Sequence, residues 1–456
     1  MHPFAPSAPS SRRRLLLAGA AACLPGAALA ALGLPPLPAL PLAERRLANG
    51  LQVIALPVAG AGTVAVQVWY RVGGKDDPPG RSGFAHLFEH MMFKRTRHLA
   101  SEAFDRLTED VGGSNNAFTA ADVTAYTNEV PANHLERLLW AEAERMSNLQ
   151  VDQASFDSER EVVKEELRER VLADPYGRLF NALPELAYSR HPYRRPVVGR
   201  IEDLDAATLA DVQRFHATYY RPDNALLIVA GGFDPAALER WVDRYFGPLH
   251  APAAPVPRVN VREPRRERTA RRSLHGPTVP LPAVALLWQG PRAGAAEAPA
   301  LQVASALLSA GESSRLNEAL VYRARSAQSA GFYADLNADA GMLAAYAIAA
   351  SGRPPAEIEA ALRHELQRLA AGPVAPAELD KVRNQLLTAA LAARQTPAGQ
   401  AEAVGWAVVN HGDARQADAE IARLQAVAAA DVQRVLRRML ATPAVSVHYT
   451  QKEGAQ

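Results

Sequence analysis

Residues His86, Glu89 and His90 lie within one short run, Gly83-Phe84-Ala85-His86-Leu87-Phe88-Glu89-His90-Met91-Met92-Phe93-Lys94. Phe84, Leu87, Phe88, Met91 and Met92 recur at helical spacing and make an apolar stripe. His86 and His90 are four apart, so on that helix one imidazole sits above the other, off the stripe. Two imidazoles so placed can hold one metal ion. Glu89 stands beside them, able to take a proton from a water at the metal. A surface helix with two histidines by chance is the bland alternative.

A hydrolytic zinc ion needs a third protein ligand and an open position for water. Cys23 is the only cysteine of the chain, and it lies far upstream. The third ligand is therefore expected to be a carboxylate. The helical run from Phe156 to Arg168 offers several. Glu159 and Glu166 are two turns apart and share one face, whereas Glu165 points about 100° away from Glu166. Glu161, Glu165 and Glu169 read as a solvated helix face. Spacing alone leaves the choice open.

These residues need a scaffold. A chain of 456 residues is too long for one ordinary core, so two or three domains are expected. Composition is globular, and a net charge of +2 gives no basic surface for nucleic acid. Strands are expected at 51–56, 63–70 and 225–230, and helices at 102–110, 132–149, 155–172 and 234–246, with Ser82 capping the histidine helix. Prolines and arginines over 251–277 read as an interdomain linker with a solvated charged stretch. Beyond it come a strand at 283–288, helices at 296–309 and 313–324, and a strand pair within 328–350. Helices at 355–371, 376–392 and 428–439 follow, with a closing strand at 445–449. The second half thus roughly repeats the order of the first.

Residues 1–30 read as an export signal. Arg12, Arg13 and Arg14 precede a short apolar run, and Ala28-Leu29-Ala30 fits a cleavage site. Ser11 to Leu16 also resembles a twin-arginine signal, with ordinary secretion as the alternative. Residues around Cys23 make a poor lipoprotein box, so lipid anchoring is not expected. Residues 31–43 read as an extended arm. No later segment looks able to span a membrane. The expected location is periplasmic or secreted.

Four stretches, in order, resemble the signatures of the pitrilysin/insulinase family of zinc metallopeptidases, the inverzincins with H-x-x-E-H. They are Gly83 to Thr96; Gly112 to Thr119 with Asp122, Thr124 and Tyr126; Glu159-Arg160 with Val162 to Leu167; and Phe215 to Gly247. The resemblance runs through nearly the whole first domain. It implies an α+β fold of two homologous domains, each a mainly antiparallel sheet with helices on one face. They would span 44–250 and 278–456, the second lacking a zinc site. It implies zinc on His86, His90 and Glu166, the last lying 76 residues after His90 (166 − 90). Glu89 would be the general base and Glu159 a support for a ligand. The edge strand with Asn116, Ala117, Phe118 and Thr119 would pair with a peptide substrate. Phe93-Lys94-Arg95-Thr96 lacks the glycine usual before the threonine, which predicts a local loop difference.

Gly311 to Leu316 resembles the opening signature of the second domain. Some members carry a substrate-binding arginine and tyrosine after it, seven residues apart. Val321 and Gln328 occupy those positions here. A paralogous partner lacking the zinc motif is expected to supply the pair; a homodimer managing without it is the alternative. The expected substrates are oligopeptides or small unfolded precursors. A non-catalytic assembly subunit is the competing reading, against which the intact His–Glu–His set argues.

Overall fold

Alternate residues of the strand Ala225–Gly231 belong to two different cores. Ala225, Leu227 and Val229 join one apolar cluster, and Leu226, Ile228 and Ala230 join another. Side chains of a strand alternate between faces, so this sheet is covered on both sides. The computed structural model describes residues 39–451. The proposed export signal, Cys23 and most of the proposed arm lie outside them.

The first half contains β1 (Ala43–Arg46), β2 (Gln52–Pro57), β3 (Thr63–Tyr70), β4 (Ser114–Thr119), β5 (Thr124–Pro131) and β6 (Ala225–Gly231). Its helices are α1 (Phe84–Met91), α2 (Ala103–Glu109), α3 (Leu135–Asn148), α4 (Gln153–Leu167), α5 (Gly177–Ala187), α6 (Ile201–Asp205), α7 (Leu209–Tyr219) and α8 (Pro235–Tyr245). The second half contains β7 (Ala270–Gly276), β8 (Ala283–Gly290), α9 (Ala298–Ser309), β9 (Ala327–Leu336) and β10 (Gly341–Ala349). It continues with α10 (Pro355–Ala371), α11 (Pro376–Ala393), α12 (Pro397–His411), α13 (Gln416–Ala426), α14 (Ala429–Leu440) and β11 (Val445–Gln451).

The strand order is β1-β2-β6-β3-β5-β4 in the first sheet and β7-β11-β8-β10-β9 in the second. Leaving out β1, the two orders are the same. Each sheet has one parallel pair, β2 with β6 and β7 with β11, and is otherwise antiparallel. The fold is therefore α+β, built from two copies of one topology.

Each half covers the second face of the other's sheet. Ala401, Val404, Ala407 and Val408 of α12 pack on Ile54, Trp69 and Ile228 of the first sheet. Leu179, Leu183 and Ala187 of α5 pack on Ala285, Leu287 and Val447 of the second. Helices on one face describe what each half does for its own sheet; the exchanged helices close the other face. None of α5, α7, α12 and α13 is among the helices expected from the sequence. Small residues let α12 sit close to the sheet. A Cβ on Gly405 would lie 2.4 Å from the Trp69 ring, which is almost wholly buried. Gly405→Ala gains about 1 kcal/mol of helix propensity. Overpacking against an immobile ring costs up to about 3 kcal/mol. A net loss of roughly 2 kcal/mol is expected in denaturant unfolding; a variant as stable as wild type would show that the ring can move.

Three other local readings need correction. Residues 270–276, taken as the end of the linker, form β7. The preceding stretch is not free either: the Glu263 carboxylate accepts the backbone N–H groups of Ser189, Arg190 and His191 at 2.7–2.9 Å. The helix read over 155–172 is α-helical only to Leu167 and continues as a π-helical turn, Arg168–Leu172. Residues 317–323 are likewise a π-helical turn.

Candidate metal centre and active site

Helix α1 presents His86, Glu89 and His90 because both its start and its buried face are fixed. Phe84, Ala85, Leu87, Phe88 and Met91 are all buried in the first core. Its first turn is not capped by Ser82, as the sequence suggested. Ser82 instead bonds Asp203 through both its hydroxyl and its backbone N–H. The free N–H groups of Gly83 and Ala85 donate to the two carboxylate oxygens of buried Asp77, at 2.7 and 2.8 Å. A carboxylate at a helix N-terminus is stabilised by those donors and by the helix dipole. Burial nevertheless pushes the Asp77 carboxyl up to about 7, against the pull of the two N–H bonds. Gly83 has φ +91°, and a Cβ there would lie 2.9 Å from Gly199 Cα. Both the turn and the close approach require glycine.

Helix α4 packs beside α1 and brings the carboxylates. Asp152 caps it by accepting the Ser155 N–H at 2.9 Å. Phe156, Glu159, Val163 and Leu167 make its buried stripe, and Glu166 lies at its last turn. Glu161 and Glu165 are exposed and ion-paired to Lys164 and Arg168, as a solvated face would be.

His86 Nε2 lies 3.6 Å and His90 Nε2 3.4 Å from the same oxygen, Glu166 Oε2. Ligand atoms of the three residues all fall within 4.8 Å of one another. The 3.4 and 3.6 Å separations are longer than good hydrogen bonds. They approach the roughly 3.4 Å edge of a tetrahedron whose corners sit about 2.1 Å from a central zinc. The donor set and its spacing therefore fit zinc. No other group of this kind occurs among the described residues. In α9, the helix that follows β8 as α1 follows β3, Ser305 and Ser309 lie four apart. Both serine hydroxyls donate to the Phe332 carbonyl of β9.

Neighbouring side chains hold the candidate ligands. Glu159 Oε2 lies 3.6 Å from His90 Nδ1, and its other oxygen is 2.7 Å from Lys94 Nζ. Arg170, on the π-helical turn, pairs with Glu166 Oε1 at 2.5 Å and leaves Oε2 facing the histidines. Burial pulls the His86 imidazole down to about 4, so it is neutral at pH 7, as a metal ligand must be. Burial acts the same way on His90, but the Glu159 and Glu166 carboxylates facing its two nitrogens outweigh it and lift this imidazole to about 9. A metal ion entering the site would have to displace that proton. Burial raises the Glu89 carboxyl, and a hydrogen bond from Thr119 only partly offsets the rise.

Strand β4 is the open edge of the first sheet and runs beside α1. Its residues alternate. Asn115 bonds Thr108 of α2, and Thr119 Oγ1 donates to Glu89 Oε2 at 2.5 Å. Ala117 shares their face by strand periodicity. Phe118 points to the other side, stacked on Trp406 of α12 with ring centres 5.7 Å apart and edge-on to Trp69. Asn116 folds back, its Oδ1 accepting the Ala117 N–H at 2.9 Å. Of the four residues expected to meet substrate, Thr119 thus bonds Glu89 directly, while the Phe118 ring is a packing group. Asp122, at the β4–β5 turn, accepts from Tyr193 Oη at 2.6 Å and from the Ala338 N–H of the second half at 2.9 Å.

Arg95 is exposed and pairs with Asp152, while buried Thr96 bonds Glu144. Among the described residues no other histidine joins this cluster. His98 is exposed beside Glu144, and His191 is buried and accepts the Tyr193 N–H. His216 stacks on Phe88 with ring centres 5.2 Å apart.

Comparison with known proteins identifies the family. Residues 53–200 match the insulinase family (peptidase family M16), and residues 206–386 match the peptidase M16 inactive domain. The zinc protease PqqE of Helicobacter pylori is 33% identical over 343 residues, 74% of this chain and 76% of that protein. A probable mitochondrial-processing peptidase subunit beta of Arabidopsis thaliana is 24% identical over 402 residues, 86% of this chain and 75% of that protein. The crystal structure of a protease from Helicobacter pylori superposes with a TM-score of 0.86 at 28% identity, covering 90% of this chain and 99% of that one. The chain belongs to the insulinase family, peptidase family M16.

Proposed function

We propose that this protein is a zinc-dependent endopeptidase acting on oligopeptides or small unfolded precursors. The observation that carries the proposal is the convergence of His86, His90 and Glu166 around one point, with Glu89 among them and an open sheet edge alongside. Zinc held by those three residues would supply a Lewis acid and lower the pKa of a water. Glu89 takes the proton from the attacking water and returns it to the leaving amine. Its burial-raised pKa suits that exchange, since a group that both takes and gives a proton works best with a pKa near the working pH. Glu159, charged and held by Lys94, orients His90. An extended peptide adds to β4 through main-chain hydrogen bonds, laying its backbone beside α1.

The proposal includes a partner. Val321 and Gln328 stand where some members carry a substrate-binding arginine and tyrosine, and one relative is itself named as a subunit. A paralogous chain without the zinc motif would supply that pair. Export through residues 1–30 to the periplasm or the exterior completes the reading. No helix among the described residues is long and apolar enough to cross a membrane.

The test is elemental analysis of the purified protein together with hydrolysis of unstructured peptides, with and without the paralogue. About one zinc per chain, and activity abolished by a chelator and restored by zinc, are expected. No zinc uptake when zinc is supplied, or no cleavage even with the paralogue, would leave the non-catalytic assembly role standing instead.

A further inference from the structure

We infer that Thr119 is a positioning residue for Glu89, joining the strand that would receive a peptide to the base that would act on it. The inference rests on the peptidase reading of the site. Thr119 is the last residue of β4, and its hydroxyl donates to Glu89 Oε2 at 2.5 Å. Its backbone is set by pairing with Thr124 of β5. Thr124 is in turn buried and bonded to the Val72 carbonyl at 2.9 Å. The hydroxyl is therefore placed by the sheet and not by a mobile loop. Glu89 comes from the other side, on a helix whose first turn is fixed by Asp77.

A glutamate side chain has three rotatable bonds. With one carboxylate oxygen claimed by Thr119, the other oxygen is the one left to meet a water between the histidines. Without that bond, the carboxylate can turn away from the ligands while the helix stays where it is. Misplacing a reacting group by about 1 Å can cost a hundredfold in rate. Peptide pairing along β4 and orientation of Glu89 thus depend on the same strand.

Thr119→Val keeps the β-branched shape and removes the hydroxyl. The expected result is a kcat about 10–100-fold lower, with KM and zinc content little changed. Thr119→Ser restores the hydroxyl and should recover most of the rate. Crystal structures of the zinc-loaded wild type and Thr119→Val provide a readout independent of turnover. The Glu89 carboxylate should occupy one position in the first and leave it, or spread over several, in the second. A Thr119→Val protein with wild-type kcat, or with Glu89 unmoved, overturns the inference. So does a variant in which KM alone rises, because Thr119 would then act on the substrate. Should wild type cleave no peptide, the peptidase proposal fails, and the position of Glu89 in the two crystals still decides the role of Thr119.

Discussion

Glu89→Gln is expected to retain zinc and lose turnover. Glutamine fills the same space, and its amide can still meet the Thr119 hydroxyl, so helix α1 and both histidines should stay in place. What it cannot do is accept the proton of the attacking water. General acid–base groups contribute about 10²–10⁴ in rate, and kcat should fall by that order. Zinc per chain and KM should remain near the wild-type values. A Glu89→Gln protein that cleaves peptides at the wild-type rate would falsify the assignment of Glu89 as base.

The second large effect is expected at Glu166. Its Oε2 faces both His86 and His90, so removing it leaves two imidazoles four residues apart on one helix. Loss of a supporting partner such as Glu159 costs 10–100-fold in metal affinity. Loss of Glu166 itself should exceed about a hundredfold. Thermal unfolding with added zinc reads this directly. At zinc a hundred times the wild-type Kd, binding stabilises the folded protein by about 2.7 kcal/mol. At the same concentration Glu166→Ala should gain less than half of that. Arg170 loses its ion pair in the variant, but its side chain is 77% exposed, so the fold itself should be little disturbed. A zinc-dependent shift equal to that of wild type would place the third ligand elsewhere. Glu159 is then the first alternative, since its Oε2 lies 3.6 Å from His90 Nδ1.

The sequence alone determined much of this protein. The apolar stripe of Phe84, Leu87, Phe88 and Met91 defines α1 because a helix repeats every 3.6 residues, and that period also sets His86 over His90. On α4 the same period puts Glu159 and Glu166 on one face and turns Glu165 away from it. Strands β2, β3 and β6 of the first sheet and the repeated order of the second half were likewise legible, because burial leaves its mark on local composition, whereas β1 and β5 were not read and β4 came only from the family resemblance.

Tertiary structure decided what depends on residues far apart in the chain. Ser82 has the chemistry of a cap, yet the acceptor is Asp77, because the chain before α1 folds back over its first turn. Local sequence cannot announce a cap that arrives by a turn. Thr119 reads as one polar residue of an edge strand. Only the approach of β4 to α1 makes it the partner of Glu89. Phe118 looks available to substrate until α12 brings Trp406 against it. Helix α12 itself escaped notice because its sheet-facing residues are small, Ala401, Val404, Gly405 and Val408, and carry a weak amphipathic signal. They are small because the helix must lie against Trp69 of the other half. Periodicity reports whether a face is buried. Which surface buries it is fixed only when the whole chain is packed.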